Sequence, residues 1–354
     1  MVTSGPPAHR GARSARGRAL RVLRVLGAGA GLVVLAGILA VVGLVATTPA
    51  PEPAPGWQEE ADMPDARGEV ASTVVDRAGS ERLVVAGGLQ GLSARTSVAV
   101  HELDPTTGTW QRLPDLPEPR HHPAAAALDG DVYLSGGAPS VTGWTSQDSL
   151  WVLREGAGQW DELAAMPEGR DSHRMRVLDG RLHVVGGHGD SGATLVYDPA
   201  EDAWSRAAAL PVPRHHLAVV VHAGELWAIG GRDDEEAVLD AVHVWDPGSD
   251  EWREGPALPV PVSAAVEGVL DGRIHLIGGE DPAVPGGAVS DEHLVLDPAR
   301  EAWQRAQPAP VPVHGAGGGT VDGRLVVAGG SKRQGALSPF AWTGLTFAYE
   351  PAGG

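Results

Sequence analysis

Residues 119–167 read PRHHPAAAALDGDVYLSGGAPSVTGWTSQDSLWVLREGAGQWDELAAMP. The short apolar run Ala124–Leu128 is followed by Asp129-Gly130, a pair suited to a tight hairpin because both turn positions take positive φ. A second apolar run begins at Val132 and ends in Gly136-Gly137. A variable loop leads to a third run, which stops at Arg154. Trp160 then opens a fourth, which closes in Met166-Pro167. The prolines fall at the ends of runs, where no ladder donor is lost. Four short strands without helical periodicity make one antiparallel sheet.

The same unit recurs along the chain. Gly-Gly pairs ending an apolar run begin at Gly87, Gly136, Gly186, Gly230, Gly278 and Gly329, at steps of 44–51 residues. Trp110, Trp160, Trp204, Trp252 and Trp303 keep nearly the same step. Asp-Pro stands six residues before tryptophan at Asp104, Asp198, Asp246 and Asp297, and Arg154 replaces it before Trp160. Arg120, Arg170, Arg214, Val262 and Val313 each precede their Gly-Gly by 16 residues, and Arg67 precedes Gly87 by 20 because the turn Asp76–Glu81 is longer. Glycine (49) and proline (29) exceed a fifth of the 354 residues, too many for a mostly helical protein. Repetition at this period means a repeat architecture.

The glycine pair, the aromatic before Asp-Pro (Tyr197, Trp245), the tryptophan six residues on and the Pro-x-Pro-Arg that opens the next unit resemble the kelch repeat. The resemblance covers residues 57–354. It implies an all-β fold, a six-bladed kelch-type β-propeller with one four-stranded sheet per blade. The last unit lacks its tryptophan strand, and Trp57–Pro64 matches Trp160–Pro167. That first strand is expected to complete the last blade and remove an exposed edge.

Ahead of the propeller the reading is a basic tail over 1–24, a transmembrane signal anchor over 25–46 and a proline-rich linker over 47–56. The tail carries six arginines and no acid. Val25–Ala46 is 22 uncharged residues, about 33 Å as a helix, enough to cross a bilayer. A cleaved signal peptide normally has a shorter apolar region, about 7–15 residues. The arginines hold the N-terminus in the cytoplasm, so the expectation is a bacterial, single-pass protein of the cell membrane with its propeller outside.

Net charge is −18, and since the tail carries +6 the remainder carries −24. Such a body repels a phosphate backbone, so no nucleic-acid partner is expected. With no cysteine there is no thiolate metal site and no cysteine nucleophile. The lack also removes the Cys–Tyr cofactor of the galactose-oxidase-like propellers, which the chain otherwise resembles. In kelch propellers the ligand face is built from the loops that enter the first strand and leave the second. Here those loops carry Arg67, Glu69, Arg120, His121, His122, Arg170, His173, Arg214, His215, His216 and His314, the expected ligand-binding residues. The loops leaving the second strands add Trp144, His188, Asp190 and Asp233–Glu236, with a long one from Ser331 to Trp342. Arginine pairs with carboxylates in bidentate fashion, so an acidic group on a protein or carbohydrate ligand is expected.

The arginines also have a structural reading, as partners of acids or carbonyls in a neighbouring blade. A three-histidine metal site from His122, His173 and His216 has no local ligand motif behind it, so neither metal nor cofactor is expected. The leading reading is a noncatalytic binding module. The alternative is a sugar-modifying enzyme resembling the sialic-acid epimerases, with Glu69 and Arg67 or Arg120 as its acid/base pair.

Overall fold

The computed structural model describes residue 1 and residues 54–351, less 190–191 and 282–287. The expected membrane span lies outside the described residues. Among those described, no helix is long and apolar enough to cross a membrane.

The described residues form six four-stranded antiparallel sheets. The first comprises Ala71–Asp76, Glu81–Ala86, Val100–Asp104 and Thr109–Leu113, and the second Ala124–Leu128, Asp131–Ser135, Leu150–Leu153 and Asp161–Leu163. Arg174–Leu178, Arg181–Val185, Thr194–Asp198 and Ala203–Ala207 form the third, and Ala218–His222, Glu225–Ile229, Val242–Asp246 and Glu251–Glu254 the fourth. The fifth is Val266–Leu270, Arg273–Ile277, His293–Asp297 and Ala302–Arg305. In the sixth, Gly317–Val321, Arg324–Ala328 and Thr346–Tyr349 are joined by Trp57–Glu59, with Trp57 opposite Tyr349 and Glu59 opposite Phe347. The first strand of the domain therefore completes the last sheet. At Asp129-Gly130 both residues have positive φ, 51° and 83°, as the hairpin reading requires.

Each sheet buries both faces against its neighbours. Six apolar clusters result, one per junction; the last holds Leu83, Val85 and Leu103 of the first sheet against Val326, Ala328 and Ala348 of the sixth. The tryptophan of each fourth strand latches onto the preceding sheet. Trp160 Nε1 donates to Pro114 O at 3.0 Å, Trp204 to Ala164 O at 2.7 Å, Trp252 to Ala208 O at 3.0 Å and Trp303 to Pro256 O at 2.8 Å. Trp57 reaches Gln307 O at 3.1 Å and Trp110 reaches Ala61 O at 2.8 Å, which closes the circle across both ends of the domain.

A second circle lies on the axis. Glu69, His122, Ser172, His216, Ala264 and Gly315 stand at equivalent places just ahead of the first strands, all with φ of 52–58°. The N–H of each donates to the carbonyl of the one before, at 2.7–3.2 Å, and Glu69 N–H donates to Gly315 O. Left-handed backbone costs a non-glycine residue roughly 1–2 kcal/mol. The ring offsets this by satisfying six N–H groups on the axis that a packed centre would otherwise strand.

Candidate functional site

Above the axial ring opens a cavity of about 980 Å³. Its floor holds Glu69, His122 and His216; its walls hold Asp171, His188, His215, Arg232, Glu236, Glu280 and His314. Trp144 stands on one wall and Trp342 closes the long last loop, whose turn Gly335–Phe340 also faces the space. Of the expected ligand residues, Glu69, His122, His215, His216 and His314 line this cavity.

The four arginines do not. Arg67, Arg120, Arg170 and Arg214 are at most 1% exposed and plug into their own sheets. Arg67 donates to Gly87 O at 3.0 Å, to Ala99 O at 2.6 Å and to His101 Nδ1 at 2.8 Å. Arg170 repeats this on Gly186 O and Ala193 O, and Arg214 on Ala228 O and His243 Nδ1. Arg120 lies over the Trp151 ring, 4.6 Å from its centroid. Arg67, Arg170 and Arg214 satisfy carbonyls near the ends of the second and third strands, within one sheet rather than across two, whereas Arg120 donates to Pro119 O at 3.0 Å and pairs with Glu118 at 3.0 Å. His173 is also interior, its Nε2 paired with Ser135 Oγ at 2.8 Å, and the position matching His122 and His216 is Ser172. His121 sits behind the floor, its Nδ1 2.7 Å from His122 Nδ1.

The site is consequently rich in carboxylates. Glu69 Oε2 is 3.1 Å from His122 Nε2, and Glu69 Oε1 is 3.4 Å from His314 Nδ1. Burial opposes ionisation of Glu69, but His122, His314 and Arg232 outweigh it and hold its carboxyl well below the usual range. Asp171 is buried too, yet hydrogen bonds from His188, Ser146 and Trp144 hold it well down. The same Asp171 hydrogen bond pushes His188 up, against its burial. His215 stacks on His188 at 4.0 Å and is pushed down to about 4 by burial and by that neighbour. Burial, with Arg232 and the surrounding imidazoles, drives His216 far below its ordinary value. Arg232 is the one arginine among the described lining residues, and it is already bound to Glu280 and Glu236. The epimerase-like pairing of Glu69 with Arg67 or Arg120 is not formed; His122 and His314 take that place.

Asp171, Arg232, Glu280 and Trp342 were not among the expected site residues. Three wall residues share a sequence signal: His188, Arg232 and Glu280 directly follow a Gly-Gly, and each bridges to the residue just before the ring. Asp190 lies outside the described residues. Asp233 caps its own turn, accepting the N–H groups of Glu235 and Ala237.

Two family models described as Kelch motif match the chain, one over residues 119–167 and 169–211, the other over 213–259. No curated protein matches the sequence. Among solved structures the fold is similar to one titled "Structure of YjhT", with a TM-score of 0.66 and 19% identity over 78% of this chain and 93% of that one. Residues 119–167, 169–211 and 213–259 thus carry kelch motifs, and the antiparallel sheets built from the repeat have the fold of a β-propeller.

Proposed function

We propose that the protein is a membrane-tethered, extracytoplasmic six-bladed propeller that binds a neutral carbohydrate in the axial cavity. The observation that carries this is the composition of the cavity: tryptophan walls above a floor of carboxylates and imidazoles. About 980 Å³ is at the upper end of small-molecule sites, roughly 300–1,000 Å³. Trp144 and Trp342 offer apolar faces to the C–H side of a sugar ring, while Glu69, Asp171, Glu280 and the histidines accept or donate to its hydroxyls. Four carboxylates against one committed arginine disfavour an acidic sugar. Screening the purified full-length protein against neutral and acidic oligosaccharides tests the reading. Trp144→Ala is expected to weaken the best neutral ligand about 10-fold, an apolar stacking contribution near 1.4 kcal/mol. Preference for sialylated or uronic glycans, or unchanged affinity in the variant, overturns it.

The 3.1 Å Glu69–His122 contact also favours a second reading, proton transfer on the bound sugar. Accelerated anomer exchange, followed by NMR and lost in Glu69→Gln, would establish it. The tether rests on the six arginines ahead of the 22-residue apolar stretch. Protease added to spheroplasts is expected to digest the propeller, and full protection would refute that placement.

A further inference from the structure

Three of the six ring positions bring donor atoms together. One ligand atom from each of Glu69, His122 and His216 lies within 4.8 Å of the other two. The two imidazole rings meet edge-on with centroids 5.1 Å apart. Each has its Nδ1 occupied from behind: His122 by His121 Nδ1 at 2.7 Å, and His216 by His215 Nδ1 at 2.6 Å. Nε2 is therefore the atom each has left for the axis. A partner on the second ring nitrogen is what fixes the tautomer and orientation of a metal-bound histidine.

Glu69 is given its room by the ring itself. At Gly315 a Cβ would stand only 2.6 Å from Glu69 Oε2, so a side chain there would displace the carboxylate. The other ring positions, Ser172 and Ala264, are small and leave the axis open.

We propose that Glu69, His122 and His216 hold a single divalent transition metal of zinc type, with its open coordination position facing the cavity. Two imidazoles and one carboxylate suit zinc and its neighbours, whereas magnesium and calcium take oxygen ligands. Three protein ligands leave a fourth position for water or a hydroxyl group. Ligands on a tetrahedral zinc stand about 3.4 Å apart, and the Glu69–His122 contact of 3.1 Å is already near that spacing. A competing cluster, His188, His215 and Glu236, lies on the wall, but Glu236 is exposed and His188 is bound to Asp171. The three ligands form the floor of the glycan cavity, and they converge on one another whether or not a sugar is bound above them.

The test uses the full-length protein in detergent, purified without a polyhistidine tag, stripped with chelator and titrated with Co²⁺ alone. One equivalent is expected to bind with visible d–d absorption and to be displaced by Zn²⁺. Glu69→Gln and His216→Ala are each expected to weaken Co²⁺ more than about 100-fold, while Glu236→Ala stays within about twofold of wild type. Near-UV circular dichroism checks the fold, and if His216→Ala misfolds the nearly isosteric Glu69→Gln decides. Absence of saturable binding overturns the proposal. So does binding lost in Glu236→Ala but kept in Glu69→Gln, which would place the ion on the wall. Trp144→Ala, which weakens the sugar, is expected to keep the metal, so the two readings fail separately.

Discussion

Deleting Gly56–Pro64 is expected to abolish cooperative unfolding of the propeller. The segment supplies the fourth strand of the sixth sheet, paired from Trp57 to Glu59 with Phe347–Tyr349. It also carries both links by which the tryptophan circle crosses the ends of the domain, Trp57 to Gln307 O and Trp110 to Ala61 O. Trp57 is packed with Phe347 and Val311 between the fifth and sixth sheets, and Met63 with Leu83 and Val326 between the sixth and first. Truncating one buried tryptophan costs about 3–5 kcal/mol, and a buried methionine about 2–5. Their joint loss takes most of the ~5–15 kcal/mol that holds a domain folded. It also leaves Thr346–Tyr349 as a bare edge that invites pairing with other chains. Thermal unfolding followed by tryptophan fluorescence should lose its sigmoidal transition, with aggregation. A truncated protein melting within a few degrees of the full chain would show that the ring does not depend on this closure.

That closure was legible because it follows from a repeat count: a unit missing its tryptophan strand at one end and an orphan strand at the other. The candidate site was legible only in part, for two physical reasons. Side-chain direction depends on backbone conformation, and the positive φ shared by the ring residues is not written in their identities. His122 and His216 turn to the axis while Arg120 and Arg214, two residues earlier, turn into the sheet. Residue type alone made all four look alike as ligand groups. Register, by contrast, was available. Counting from Arg170 places Ser172, not His173, in line with His122 and His216. The same count makes Asp171 the counterpart of His121 and His215, which is how a carboxylate comes to face the cavity. Glu69 entered the metal cluster from a sheet away in sequence, and no local spacing could have joined it to the two histidines.

Acidification from pH 6.5 toward pH 4.5 is expected to unfold the propeller, because its core holds histidines that are stable there only when neutral. His101 lies against the Arg67 guanidinium, its Nδ1 accepting at 2.8 Å, and is pushed down to about 4 by burial and by that charge. His173 is pushed down to about 3, again by burial first and Arg170 next. His275 and His293 share a 2.8 Å contact between ring nitrogens. Burial lowers them to about 3 and about 4, and a second proton on the pair would set two cations side by side. In the unfolded chain all four titrate near 6.5. Between pH 6.5 and about 4 the unfolded state therefore binds more protons than the folded state, and unfolding free energy falls as pH falls. At pH 5 each histidine contributes a loss of about 2 kcal/mol. All four act in the same direction, so together they remove a substantial part of the ~5–15 kcal/mol that holds a domain folded. Urea midpoints measured from pH 7.5 to pH 4.5 should fall steeply below pH 6.5. His101→Gln, which keeps an acceptor for Arg67 but carries no titrating ring, should show a shallower slope whatever its stability at neutral pH. A midpoint that stays flat down to pH 4.5 would mean that these rings reach solvent or a counter-charge when protonated, and that the sheets can yield at those positions without unfolding.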